Sequence, residues 1–215
     1  MLLQHWKVGH SELVWNVRQN SKVKKVFSKI WDNDDLIVSF DGASIYILDK
    51  PVRNQNSWFH VDQSYTRNDL ECYQSWVTAY DVNEGDATLA FMEKSNTHHK
   101  EFQDHFQIKD KSDWYKHSEI EQKFYEEKGC EEKRIKCKAG AMVFWDSRTI
   151  HCGTEAQKTR GKQNMRNVVY VCMLPRKLAT EASLRKKQKA FNELRMTTHW
   201  PHKPKLFPVN PRTYG

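Results

Sequence analysis

The stretch "WFHVDQSYTR" (58–67) sets an imidazole and a carboxylate, His60 and Asp62, two positions apart in a run rich in aromatic and β-branched residues. Successive side chains of a strand point to opposite faces, so these two would project together while Val61 points away. Such a pair offers two ligands to a metal ion. His151, near the end of the run "GAMVFWDSRTIHCGTE", is the best third ligand. Two imidazoles and a carboxylate on one side of an ion leave its other positions open, as a non-haem Fe(II) oxygenase requires; with Zn(II) the same set would suit hydrolysis by an activated water. Arg166 opens the run "RNVVYVC" fifteen positions after His151. A guanidinium fork binds a carboxylate through two parallel hydrogen bonds, which suits the far carboxylate of a dicarboxylic cosubstrate. Arg160 is the nearest rival, but it lies in the loop "AQKTRGKQN", where a surface role is expected.

Ligands this far apart in sequence must be brought together by strands. Apolar residues over 11–31 follow a helical spacing interrupted near Asn20 and Ser21, which predicts one broken helix or two short ones. "DLIVSFDGASIYILDKP" gives two short β-type runs around "DG", and Pro51 starts a polar loop leading to "WFHVD". Residues 70–82 alternate as a strand, and "NEGDATLAFM" reads as a turn followed by a strand. The charged and aromatic segment 95–135 is predicted to be a helical or irregular insertion, long enough for a lid. "GAMVFWDSRTIHCGTE" and "RNVVYVCMLP" read as strands, so 36–175 has the strand spacing of a sandwich or barrel. The expected organisation is a single domain over 1–215, with a helical N-terminal segment over 1–35, a β core over 36–175, and a basic helix with a proline-rich tail over 176–215.

Five cysteines, Cys72, Cys130, Cys137, Cys152 and Cys172, without CxxC spacing argue against a disulfide framework or a zinc knuckle and read as reduced packing thiols. No run is long and apolar enough for a membrane span, and the first residues lack the pattern of a signal peptide, so a soluble, intracellular and most simply cytoplasmic protein is expected. The net charge of +8, with clusters "KVKK", "QKTRGK" and "RKKQK", leaves room for a nucleic-acid partner, although separated clusters of this kind are usually a solvated surface.

"ILDKP" then "WFHVDQ", the strand "SWVTAYDV", "NEGDATLAFMEKSNTHH", and "KAGAMVFWDSRTIHCGTE" with "MRNVVYV" occur in an order and spacing that resembles the phytanoyl-CoA dioxygenase family of Fe(II)- and 2-oxoglutarate-dependent oxygenases. The resemblance covers about 35–175. It implies a mainly β fold with flanking helices around a double-stranded β-helix (jelly-roll, cupin-like) core. Fe(II) would be held by His60, Asp62 and His151, and Arg166 would pair with the 5-carboxylate of 2-oxoglutarate. Trp76 falls where the family has an aromatic wall for the cosubstrate, and Tyr46 where a side chain borders the same pocket; for both, a plain core role is equally open. The implied reaction is O2-dependent hydroxylation of an unassigned small-molecule or macromolecular substrate with release of succinate and CO2. It requires no catalytic group beyond the metal ligands.

The sequence departs from the family in places. "EKSNTHH" lacks Pro-Gly, so His98 and His99 read as loop residues rather than ligands, and Gly153 stands where a hydroxyl is common, with Thr154 as its substitute. Lys7 is a weaker candidate for a cosubstrate contact. The tail "HWPHKPKLF" reads as packing against the barrel; His199, Trp200 and His202 would face substrate if it covered the pocket mouth. The competing readings are a basic nucleic-acid-associated protein and a catalytically inactive jelly-roll binding module.

Overall fold

In the computed structural model, which describes residues 2–46, 58–160 and 164–208, the chain starts with a short strand, β1 (Leu2–Leu3). Two helices follow, α1 (Glu12–Gln19) and α2 (Ser21–Trp31). The break between them falls on Asn20, whose side chain accepts from the Lys22 amide and caps α2. Asparagine favours this position because its side chain competes for backbone donors inside a helix and replaces a missing acceptor at its start.

The strands β2 (Leu36–Val38), β3 (Ala43–Tyr46), β4 (His60–Val61), β5 (Tyr73–Thr78) and β6 (Thr88–Met92) come next. Then come α3 (His99–His105), β7 (Tyr115–Lys116), α4 (Glu119–Glu127) and β8 (Glu132–Arg134). The chain continues through β9 (Met142–Asp146), β10 (His151–Thr154), β11 (Arg166–Val171), β12 (Met173–Pro175) and α5 (Glu181–Asn192). "ILDKP" lies outside the described residues apart from its approach through β3.

These strands form two five-stranded sheets, β1-β3-β11-β5-β9 and β7-β4-β10-β6-β8, with β12 and β2 as a separate ribbon. All the pairings are antiparallel. Side-chain alternation sorts the residues into layers. Trp76, Trp145 and Val168 of the first sheet meet Leu89 of the second in the space between them. Val169 and Val171 point the other way, onto Val14, Val23 and Phe27 of α1 and α2. On the far side of the second sheet, Val61, Ala90, Met92 and Cys152 pack against Phe102 of α3 and Phe124 and Tyr125 of α4.

The segment 95–135 mostly backs the second sheet, and its Asp113 and Trp114 also line a cavity. It adds β7 to the edge of β4, with His60 opposite Lys116, and β8 to β6, and its helices cover the back of the strands that carry the candidate ligands. Its many charged residues hide one apolar stripe per helix, and Ser118 with Glu121 closes a capping box that fixes the start of α4. The run "RKKQK" differs from a continuous basic face. Lys187 is buried, with its ammonium donating to the Val38 carbonyl and lying 3.8 Å from the Phe40 ring centroid. All five cysteines are free thiols, and among the described residues no helix is long and apolar enough to cross a membrane.

Candidate metal centre

Strands β4 and β10 are neighbours, and their register sets His151 directly opposite His60, with ring centroids 4.4 Å apart. Asp62 follows one residue beyond β4 and turns back toward both rings. Its Oδ1 lies 3.6 Å from His60 Nε2 and its Oδ2 lies 3.3 Å from His151 Nε2. One donor atom from each of the three residues falls within 4.8 Å of the others.

The far sides of the two imidazoles fix what the near sides offer. His60 Nδ1 lies 3.3 Å from the Trp58 carbonyl and His151 Nδ1 2.8 Å from the Thr149 carbonyl. A carbonyl only accepts, so Nδ1 is the donor in each ring, which leaves Nε2 of each as the nitrogen facing the centre and free to ligate. Burial and then the neighbouring His151 push the His60 pKa down to about 4. Burial opposes ionising Asp62, but contact with His151 and the field of His60 outweigh it and hold the carboxyl well below the usual range. Two imidazole nitrogens and a carboxylate thus converge in a buried place, and this donor set fits a divalent first-row cation.

Two residues that sequence reasoning passed over support the triad. Gln74 Nε2 donates to Asp62 Oδ2 at 2.8 Å. The Trp58 indole stacks on His60 with centroids 4.7 Å and planes 12° apart, and its Nε1 donates to the Gly153 carbonyl at 2.9 Å. Trp58 shares a strand face with His60, and Gln74 shares one with Trp76, so the alternation that singled out Asp62 also carried their signal.

The triad opens into a cavity of about 460 Å3. Arg166, at the start of β11, lines it while only 3% exposed, and its Nη1 donates to Ser44 Oγ at 3.2 Å. Tyr46 stands opposite Arg166 in the β3–β11 register, but its side chain lies outside the described residues. Trp76 is fully buried in the layer between the sheets, 5.8 Å from the Arg166 guanidinium and outside the cavity lining. The wall is instead formed by Trp145, whose ring lies 5.4 Å from that of His151.

The other candidates stand apart from the cavity. Arg160 pairs with Asp86 at 2.8 Å, Thr154 Oγ1 donates to the Thr88 carbonyl at 3.3 Å, and Lys7 is exposed. His98 ends a short 3-10 turn, and His99 begins α3 rather than a loop, buried with Nε2 3.2 Å from the Ser64 carbonyl. His202 is buried outside the lining. The tail, by contrast, does reach the cavity: Thr197, His199, Trp200 and Phe207 line its roof beside Leu2 and Trp114. Gly42 permits this closure at one corner, because a Cβ there would fall 1.7 Å from the Leu3 carbonyl oxygen of β1.

No family model matches the chain. In sequence it is similar to a protein of Aspergillus versicolor named Ava biosynthesis cluster protein O, 29% identical over 208 residues that make up 93% of this chain and 66% of the fungal protein. The chain thus spans about two thirds of that curated relative's length. In structure it is similar to EvdMO1, with a TM-score of 0.44 and 12% identity over 74% of this chain and 31% of that one. It is also similar to the non-haem alpha-ketoglutarate-dependent epimerase SnoN from nogalamycin biosynthesis, with a TM-score of 0.44 and 11% identity over 77% of this chain and 57% of that one.

Proposed function

We propose that this chain is an Fe(II)- and 2-oxoglutarate-dependent oxygenase that hydroxylates a small molecule. The observation that carries the reading is the convergence of His60 Nε2, Asp62 and His151 Nε2 at the floor of a cavity that also holds a buried arginine. The strand path supports a double-stranded β-helix as its frame. From β3 to β11 consecutive strands cross between the two sheets, except that β6, β7 and β8 all lie in the second, and such alternation is the winding of a jelly roll. The phytanoyl-CoA dioxygenase-like motif order agrees with that frame, and the fungal relative's name, which refers to a biosynthesis cluster, favours a small-molecule substrate.

In this reading His60, Asp62 and His151 hold the iron, with Gln74 fixing the carboxylate and the Trp58 and Thr149 carbonyls fixing the ring tautomers. Bound Fe(II) with 2-oxoglutarate supplies O2-dependent oxidation of a substrate C–H bond, with succinate and CO2 as coproducts. Arg166 takes the 5-carboxylate of 2-oxoglutarate, held in place by Ser44 and by the Trp76 ring beneath it. The indoles of Trp58 and Trp145 exclude water around the triad, and the roof positions one C–H bond above it.

Adding Fe(II) and 2-oxoglutarate to the protein without oxygen should give a weak visible charge-transfer band that His151→Ala abolishes. Admitting oxygen with candidate small molecules should then release succinate. Absence of both the band and succinate overturns the reading.

A further inference from the structure

The roof of the cavity contains a polar group without a partner. Residues 196–207 fold back on themselves, with the Phe207 amide donating to the Met196 carbonyl at 2.9 Å and the Thr198 amide to the Lys205 carbonyl at 3.0 Å. This turn is fastened to the sheet beside β3 by Thr197, whose amide donates to the Phe40 carbonyl and whose Oγ1 accepts from the Phe40 amide, both at 3.0 Å. On its other side Trp200 is buried, 2% exposed, with the Arg67 guanidinium 5.6 Å from its ring centroid. Between these anchors His199 lines the cavity, within electrostatic reach of Asp62.

Among the described residues His199 makes no hydrogen bond, and its Nε2 is sealed from solvent. His10 and His99 also leave one nitrogen unpartnered, but each anchors the other on a backbone carbonyl, and His202, whose Nδ1 is unpartnered too, lies outside the cavity lining. A buried polar group left unsatisfied is costly, and it persists where something absent from the protein alone completes it. Much of the lining is apolar and flat: Leu2, Trp114, Trp145 and Phe207 line the same cavity as His199. Burial lowers the His199 pKa, so the ring is neutral and offers one donor and one acceptor.

We propose that His199 is the polar anchor of a substrate subsite, binding a hydroxyl or carbonyl group of a neutral, ring-containing small molecule that packs against this aromatic wall. The inference rests on the oxygenase reading for what happens to that molecule, but the recognition itself needs neither metal nor cosubstrate. A wall of indole and phenyl faces accepts a flat apolar body by area and stacking, and the imidazole, in a lining that also holds the unpartnered Thr198 Oγ1 and Trp145 Nε1, fixes its orientation.

The test is calorimetric titration of the metal-free full chain with 2-naphthol, naphthalene and 2-naphthoate. The wild-type protein should bind 2-naphthol about tenfold more tightly than naphthalene, the value of one hydrogen bond at a buried site. His199→Phe should remove that preference, so that 2-naphthol and naphthalene bind equally. His199→Asn should keep part of it, and it carries the contrast alone should the Phe variant fail to fold. The proposal is overturned by a preference that survives both substitutions, by tightest binding of the anionic 2-naphthoate, or by failure of the wild-type protein to bind either neutral probe. Metal binding is measured separately, so a protein that discriminates the probes but gives no charge-transfer band sinks only the oxygenase reading.

Discussion

Replacing Gln74 by leucine removes one hydrogen bond from the Asp62 carboxylate while keeping the size of the side chain. Gln74 is 6% exposed and its Nε2 lies 2.8 Å from Oδ2, so water does not easily replace it. Hydrogen bonds to charged groups contribute about 1.5–3 kcal/mol, and the part spent on orienting the carboxylate enters the metal affinity. At about 1.4 kcal/mol per factor of ten, the expected loss is roughly 10- to 100-fold, the range for partners that orient metal ligands. Titration with Co(II), followed by its visible absorption and by calorimetry, measures this on the metal alone. Asp62→Asn and His151→Ala set the lower limit, and the unfolding midpoint of metal-free Gln74→Leu shows whether the fold has shifted. An unchanged Co(II) affinity would refute the argument that Gln74 presents Asp62 to the metal. A loss as complete as that of Asp62→Asn, with a lowered midpoint, would show that Gln74 acts on the fold instead.

Arg166→Met should weaken 2-oxoglutarate binding by about 100-fold, the loss of a two-point charged contact, while leaving Co(II) affinity within a factor of about three; equal loss of both ligands would count against a dedicated carboxylate clamp. Phe102→Ala, at a fully buried position behind β4, should lower unfolding stability by about 3–5 kcal/mol in a urea titration, and a change below about 1 kcal/mol would show that α3 is not part of the core. Burial, then the Arg18 charge, lowers the Lys187 pKa from its ordinary 10.5 to about 7, so between these values the unfolded chain binds more protons than the folded one. Stability from this group therefore rises with pH from 7 to 10.5, and the wild-type protein should gain on Lys187→Met across that window, by up to a few kcal/mol in urea titrations at each pH; a constant difference would place the ammonium in solvent.

The candidate ligands were legible because strand alternation is a local rule. Val61 had to point away from His60 and Asp62, and the structure buries it behind β4. The same rule applied two residues upstream reaches Trp58, and it places Gln74 on the inner face with Trp76, but a lone aromatic or amide there carries no distinctive chemistry. Lys187 was legible in the same way by helical period, since Leu184, Ala190 and Phe191 lie three or four residues from it on one side of α5. The run of charges around it obscured that spacing. The features that were not legible depend on contacts between distant segments. Nothing local says that Trp114 turns toward His60, with ring centroids 5.8 Å apart, or that the fold of the tail delivers His199 to the same cavity.

This division between local and distant signals follows the division of the site itself. The floor is made by strands in the middle of both sheets, where register fixes His60 against His151 and Arg166 against Tyr46. The roof is made by β1, by Asp113 and Trp114 at the entry to β7, and by the tail. These segments are fastened both to one another and to the sheets: Arg67 pairs with Asp113 at 2.5 Å and lies over Trp200, Lys205 pairs with Asp113 at 3.4 Å, β1 pairs with β3, and Thr197 is hydrogen-bonded to Phe40. Of the roof residues, Trp114 reaches the triad directly, its amide donating to the Asp62 carbonyl at 3.3 Å and its ring lying 5.8 Å from that of His60. Substitutions in the tail can therefore change the cavity lining while the strand register holds the donors, whereas substitutions at Trp114 act on both. The candidate ligands thus come from strands whose register is legible in the sequence, and most of the lining above them comes from distant segments.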